Sequence, residues 1–262
     1  MAKKLKRRKL LIPILALVIL GGLALAFFVF SGPIRDLLGL GGVRRLEAEK
    51  IPTPYRLGKE DDARAQLDAA NPEHYDSLSR PETWFDFDTE GHGAYRVEDE
   101  HLFGIDYEPE EIYTWWSYTS RQGGNVYAEI TAKNGDCAGR DSVGLAIRVD
   151  PQTASGGYAL EVSCDGNWRF RRHRTGKEPV EMVNWTPSNA IREGRNATNH
   201  LGVWGARREF LLYVNGEQVG QATDPQNSYT SGIFAAYVRA SLTFDLTATF
   251  DDFAYWNIPF QP

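Results

Sequence analysis

Three strings in this chain hold residues able to do chemistry. In Asp86-Phe87-Asp88-Thr89-Glu90 the acids alternate, so on an extended strand three carboxylates share one face. Two carboxylates on one face are the equipment of a glycoside hydrolase, one as nucleophile and one as acid/base. The same alternation also describes the solvent face of an edge strand, and Gly91-His92-Gly93 ends it at once. Glu98-Asp99-Glu100 is consecutive and concentrates its charge on neither face.

The second string is aromatic: Trp115, Trp116 and Tyr118. Exposed rings stack on the apolar faces of sugars, beside polar groups that bind the hydroxyls. On a strand, Trp116 and Tyr118 share one face, while Tyr113, Trp115 and Ser117 share the other. One tryptophan is then free for a ligand and one for the core. Trp185, in Asn184-Trp185-Thr186-Pro187, is expected in a loop at the rim of such a site. Plain packing accounts for the same rings, and Trp168, Trp204 and Trp256 are expected to be structural. The third string is basic: Arg169, Arg171, Arg172, His173, Arg174 and Lys177. It reads as a solvated strand face with its turn, or as a patch for an anionic glycan or lipid headgroup.

Other chemistries lack their residues. There is no serine nucleophile elbow, no zinc-binding histidine pair and no phosphate-cradling glycine loop. The five histidines, His74, His92, His101, His173 and His200, are scattered.

The elements that must position these strings are strands. Val126, Ala128, Ile130 and Ala132 alternate with Tyr127, Glu129, Thr131 and Lys133. Val143 to Val149, Tyr158 to Cys164 and Leu242 to Phe250 repeat the pattern. One apolar and one mixed face marks half-buried antiparallel strands, and many of them with turns between predict a sandwich or barrel. Asn215-Gly216 predicts a two-residue type I′ hairpin that sets Leu212 opposite Val219. At Asp165-Gly166 a three-residue loop, Asp165 to Asn167, is expected, setting Trp168 opposite Cys164 and Phe170 opposite Val162; a one-residue slip would invert both rings. Along the last strand the apolar parity changes after Phe250, so a β-bulge is expected near Asp251-Asp252.

Ahead of this part lies a different composition. Residues 1–9 hold six lysines and arginines, and Leu10 to Phe30 is uncharged and apolar. Twenty-one helical residues at 1.5 Å each reach roughly 31 Å, the thickness of a bilayer core. Ala24-Leu25-Ala26 resembles a cleavage site, but the run continues through Phe27, Phe28, Val29 and Phe30, longer than a signal sequence needs. The expectation is a retained, single-pass transmembrane helix with its basic flank cytoplasmic and the rest extracytoplasmic. Gly22 and Ala26 offer a weak small-residue contact for helix-mediated self-association. Residues 31–80 read as a linker or stalk with a short helix, and 81–262 as the β domain. All 35 acidic residues but only 23 of the 29 basic ones lie beyond Phe30, a net charge of −12. That field argues against nucleic acid as a partner. The two cysteines, Cys137 and Cys164, are expected to pair in an oxidising compartment; two buried free thiols are the alternative.

A resemblance joins these pieces. Asp136-Cys137-Ala138-Gly139-Arg140-Asp141, Gly157-Tyr158 to Cys164-Asp165-Gly166, Asn199 to Trp204, Leu212-Tyr213-Val214-Asn215-Gly216 and Phe250-Asp251-Asp252-Phe253-Ala254-Tyr255-Trp256 resemble the concanavalin A-like (laminin-G/glucanase) jelly-roll superfamily, in particular its bacterial membrane-anchored modules. The resemblance runs from about Trp84 to Ile258. It implies a mainly β antiparallel sandwich, and it spans lectins, carbohydrate-binding modules, glycosidases and adhesion domains, so it names no single activity. It also implies a structural calcium near one end of the sandwich, for which Asp252 with Asp86 or Asp88 is the candidate set; a solvated acidic turn whose side chains hydrogen-bond the bulge is the alternative. The function expected is a membrane-anchored, lectin-like module for a glycan or cell-envelope polysaccharide. The alternatives are an adhesion module with a protein partner and a glycoside hydrolase.

Overall fold

The computed structural model describes residues 62–68, 71–109 and 114–259. The expected membrane segment, Leu10 to Phe30, lies outside them. Among the described residues no helix is long and apolar enough to cross a membrane.

Two antiparallel sheets pack face to face. The larger holds β1 (His74–Asp76), β2 (Phe87–Thr89), β3 (Gly93–Glu98), β4 (His101–Asp106), β6 (Val126–Asn134), β11 (Thr198–Ala206), β12 (Glu209–Val214), β13 (Glu217–Thr223) and β15 (Leu246–Asn257). Its order is β13-β12-β11-β6-β15-β4-β3-β2, with β1 also on β15. The smaller holds β5 (Ser117–Gly123), β7 (Ser142–Val149), β8 (Gly157–Ser163), β9 (Asn167–Arg174), β10 (Lys177–Pro187) and β14 (Gly232–Arg239), in the order β10-β9-β8-β7-β14-β5.

Alternation placed the core correctly. Val126, Ala128, Ile130 and Ala132 of β6 meet Val143, Leu145, Ile147 and Val149 of β7 and Tyr158, Leu160 and Val162 of β8 in one cluster. The last strand begins at Leu246, not Leu242. Leu242 and Phe244 lie in the preceding turn and are mostly exposed, because residues 241–243 are drawn to Asp141, whose carboxylate accepts from their three backbone N–H groups and from the Thr243 hydroxyl. The bulge is where expected. Asp251 faces Thr131 and Ala254 faces Glu129, so β15 carries one extra residue there, with Asp252 at φ 51°. Phe250 points inward before it, and Phe253 and Tyr255 after it.

Two hairpins differ in detail from expectation. Asn215 and Gly216, both at positive φ, form the tight turn that pairs Val214 with Glu217. A register shift then sets Leu212 opposite Gly220 rather than Val219. The ring of Trp168 lies where a Cβ on residue 220 would be, so the glycine gives it room. The β8–β9 loop has three residues, Cys164 to Gly166 instead of Asp165 to Asn167. Trp168 faces Val162 and Phe170 faces Leu160, a two-residue offset that leaves both rings in the core.

The sandwich starts before Pro81. His74–Asp76 pairs with Tyr255, Ala254 and Phe253. Further upstream, the 3₁₀ turn Ala63–Gln66 stands where a short surface helix was expected. It buries Arg64, and Leu67 is buried just after it, in a second layer with Tyr127, Trp204, Tyr213, Ala254 and Trp256. Cys137 and Cys164 form a disulfide, as expected.

Candidate functional site

The outer face of the six-stranded sheet holds an unusual concentration of buried charge. Strand register sets Tyr237, Gly144, Glu161 and Arg169 in one row across β14, β7, β8 and β9. The next row carries Ala235, Ala146, Ala159, Arg171 and Glu181. Gly144 belongs where it is: a Cβ there would lie 2.3 Å from Tyr237 Cζ. The missing side chain lets the tyrosine lie flat over β7, beside Glu161.

Glu161 is fully buried. Its Oε1 accepts from Arg169 Nε at 3.0 Å and Arg171 Nε at 2.5 Å; its Oε2 accepts from Arg169 Nη2 at 2.9 Å and Ser142 Oγ at 3.2 Å. Burial alone would raise this carboxyl, but Arg171 and Arg169 outweigh it and hold it far below the usual carboxylate range. Arg169 also reaches Glu181 at 3.3 Å. Burial raises Glu181, against the pull of the same arginines. His173 is buried and pushed down to about 3 by burial and by Arg171, so it is neutral. Its Nε2 makes no hydrogen bond among the described residues, and neither does Nη2 of Arg171. Tyr237 Oη lies close to Arg171 without a well-formed hydrogen bond.

Only the end of the basic string, half-buried Arg174 and exposed Lys177, is solvated as expected; the rest is not. Arg169, Arg171 and His173 point outward from the core yet are buried in this layer. Arg172, of opposite parity, binds Asp224 at 2.8 Å. Asp224 also accepts from Tyr158 Oη at 2.6 Å and from two backbone N–H groups. That set holds Arg172 apart from the others.

Above this layer runs a groove made of three adjoining cavities. The first, about 420 Å³, is aromatic, lined by Phe85, Phe87, Trp115, Trp116 and Tyr118. The second, about 500 Å³, shares Thr114, Trp116, Ala154 and Ser155 with the first and adds His173. The third, about 430 Å³, shares Glu178 and Pro179 with the second and reaches Arg169, Arg171, Glu181, Trp185 and Arg239.

Trp115, Trp116 and Tyr118 thus line one cavity together instead of dividing between two faces. The reason is that residues 114–116 precede β5 and do not alternate as a strand does. Trp116 is 7 % exposed and its indole N–H donates to Ala154 O, so it serves mainly as wall. Trp115 is held from below, where Tyr95 Oη donates to its carbonyl at 2.8 Å and accepts from Val238 N at 2.9 Å. Trp185 lies within β10, not in a loop. The guanidinium of Arg169 lies 4.3 Å from its ring centroid and that of Arg140 5.0 Å from it.

Sequence reasoning missed Phe85 and Phe87. Phe85 is 46 % exposed and lies parallel to Tyr118 at 4.7 Å and to Phe87 at 5.7 Å. It missed Glu161 as well, although a glutamate inside the apolar strand Tyr158–Val162 calls for a buried cation.

The acidic candidates are elsewhere. Asp86, Asp88 and Glu90 are exposed on and around β2, the edge strand of the larger sheet. Asp252 belongs to β15, from which β4 and β3 separate β2, and it accepts from Tyr75 Oη at 2.7 Å. The structure does not bring Asp252 together with Asp86 or Asp88. Among the described residues no three histidine, cysteine or acidic side chains form a metal-holding group.

No protein-family model matches the chain, and no curated protein matches it in sequence. Solved structures do resemble it. The carbohydrate binding module CBM66 from Bacillus subtilis superposes with a TM-score of 0.53 at 19 % identity, covering 70 % of this chain and all of that one. A native glycosidic hydrolase gives 0.50 at 16 % identity, covering 72 % and 97 %. A Bacillus licheniformis β-glucanase gives 0.49 at 13 %, covering 71 % and 99 %. At such identities the likeness speaks for fold alone. With two antiparallel sheets in this order, the described part of the chain has a concanavalin A-like jelly-roll fold.

Proposed function

We propose that this protein is a glycan-binding module, held at a membrane by Leu10 to Phe30 with its sandwich on the extracytoplasmic side. The observation that carries the reading is the groove across the six-stranded sheet. It has an exposed aromatic platform at one end and a charged, Trp185-bearing pocket at the other. Aromatic planes and convergent polar groups in one trough are the two kinds of contact a sugar needs. Glycan array binding by the detergent-solubilised full chain tests it. Retained binding that Phe85→Ala or Trp185→Ala weakens supports the reading. No glycan bound, with a protein partner captured through the same face, points to the adhesion alternative. Sodium carbonate extraction and the mass of the mature N-terminus test the anchor. A soluble product, or one beginning near Phe27, overturns it.

Hydrolysis is favoured by one observation. Glu161 and Glu181 are pushed in opposite directions, as an acid/base pair requires. Against it, Glu161 already accepts four hydrogen bonds, the capacity of a carboxylate, and has no exposed surface for a sugar carbon. Its role in this reading is to hold Arg169 and Arg171. Release of reducing sugar, abolished by Glu181→Gln, would reverse that conclusion.

A further inference from the structure

We infer that the ligand is a linear chain of several sugar units, an internal stretch of a polysaccharide that crosses the six-stranded sheet and is held at two aromatic stations, and not a single terminal sugar. The inference rests on the glycan-binding reading and specifies the form of its ligand.

The two stations stand at opposite edges of one sheet. Tyr118, on which Phe85 stacks, belongs to β5, and Trp185 belongs to β10; these are the two edge strands of the sheet. Register sets Tyr118 in one row with Ala235, Ala146, Ala159, Arg171 and Glu181, so the row runs from edge to edge. Five strand spacings separate its ends, roughly 24 Å. A monosaccharide or disaccharide cannot reach both. No further strand of this sheet stands beyond either station to stop a chain that runs past it.

The lining is continuous between the stations. Thr114, Trp116, Ala154 and Ser155 border the first and second cavities alike, and Glu178 and Pro179 the second and third. Each cavity alone, at about 420, 500 and 430 Å³, has the size of a small-molecule site, and three joined ones suit a longer ligand.

The stations differ in chemistry, which gives the chain a direction. No charged side chain lines the first cavity, where Thr89, Thr114 and Ser155 set hydroxyls beside the rings. A charged sugar would lose its hydration there without a partner, so the unit on Phe85 is uncharged. The third cavity carries charged groups of both signs around Trp185, which suits hydroxyls that both donate and accept.

Two separated contacts also set how affinity depends on length. A short fragment gains one station only. A chain that spans both makes its second contact within the same complex, at an effective concentration set by the length between them. Affinity should therefore rise in a step at the spanning length and not by an equal increment per sugar.

The test is calorimetric titration of the detergent-solubilised full chain with β-1,3-gluco-, β-1,4-gluco-, xylo- and manno-oligosaccharides, graded from disaccharide to octasaccharide, and with size-graded fragments of any other polymer that the glycan array selects. Expected in the series that binds is a rise of at least tenfold between disaccharide and hexasaccharide, with a plateau beyond. Phe85→Ala, at a ring 46 % exposed, and Trp185→Ala should each abolish the step and bring the hexasaccharide to the affinity of a short fragment, with the folded-state circular dichroism unchanged. A monosaccharide or disaccharide that already binds with full affinity, or a step that survives the loss of either ring, overturns this inference and leaves the glycan-binding reading intact. If neither the array nor any series shows binding, both fall together.

Discussion

Arg169 grips Glu161 through two nitrogens, Nε at 3.0 Å and Nη2 at 2.9 Å, across one hairpin of the six-stranded sheet. The two are direct register partners on β9 and β8, so the turn at Cys164–Gly166 sets their meeting. Because Arg169 also lies 4.3 Å over Trp185, the pair fixes the height of the tryptophan above the sheet. Removing one member of a buried ion pair leaves the other uncompensated and costs about 3–5 kcal/mol. Glu161→Gln should therefore destabilise the protein by about that amount in urea unfolding. Arg140→Ala, which breaks a half-exposed pair with Asp165, should cost less than about 1 kcal/mol.

Trp185→Ala separates ligand contact from folding. The ring is half-buried on β10, an edge strand, in contact with two guanidinium groups. A cation–π contact at such a site is worth about 0.5–1 kcal/mol. Loss of the stacking plane should weaken glycan binding by about tenfold or more, while the thermal midpoint falls by only a few degrees. Calorimetric titration and a thermal melt on the same preparation give both numbers.

The residues behind these two expectations were unequally visible in the sequence. The alternation Trp168, Phe170 against Arg169, Arg171 and His173 is plain along β9, and it sends the rings inward correctly. What covers the other parity is a long-range fact. Glu161 and Tyr237 come from neighbouring strands, and only strand order brings them beside Arg171. Without that order, a basic strand face reads as solvated. The aromatic groove failed differently. The sequence reads Trp115 and Trp116 as strand residues, but the strand begins only after them, at Ser117. Phe85 joins them because Trp84 bridges to Thr119 at the edge of the smaller sheet before the chain crosses to the larger one. Neither event leaves a local signature. The β15 bulge, by contrast, followed from local parity, and the disulfide from the compartment expected for the chain.

His173 gives the protein a weakness to mild acid. In the unfolded chain it titrates near 6.5; folded, burial and Arg171 push it down to about 3. The folded state therefore refuses a proton that the unfolded state accepts. Its contribution is intact above pH 6.5 and is lost as pH falls toward 3, by up to about 1.4 kcal/mol per unit. Glu161, Asp141 and Asp224, all held low, lose theirs only as pH drops through and below the carboxylate range. Urea midpoints should begin to decline near pH 6.5 and steepen below about 4.5. His173→Gln should flatten the upper limb alone. An unchanged upper limb in that variant would assign it to another group.

The Cys137–Cys164 bond closes a loop spanning 27 residues that contains all of β7 and β8. On the chain-entropy account, constraining such a loop in the unfolded state is worth about 3–4 kcal/mol. A double Cys→Ser variant should lose about that much in equilibrium unfolding. The groove itself should survive below the melting transition, because Asp141 still ties the Ala138 turn to Ser241 and Leu242. Labelling of either thiol in unreduced material from an oxidising compartment would contradict the pairing.

The segment ahead of the sandwich is part of its fold, and shortening the chain should show it. Arg64 lies 4.0 Å over the Tyr213 ring and donates to Gly216 O at 2.8 Å, beneath the β12–β13 turn. Leu67 is buried beside Trp256, whose indole N–H donates to Asp68 O at 2.9 Å. Together they cover the outer face of the larger sheet, where Tyr127 and Trp256 would otherwise meet water. Leu67→Ala should cost about 2 kcal/mol, the low end for a buried leucine in a thin layer. That corresponds to a thermal midpoint lower by about 4–8 °C for a domain of this size. A chain beginning at Asn71 loses all of these contacts and should fall further and aggregate through the bared aromatic face. Its groove, on the far side of the other sheet, should bind glycan with unchanged affinity below the melting point. If the shortened chain melts where the full chain does, the 3₁₀ turn contributes nothing to the fold.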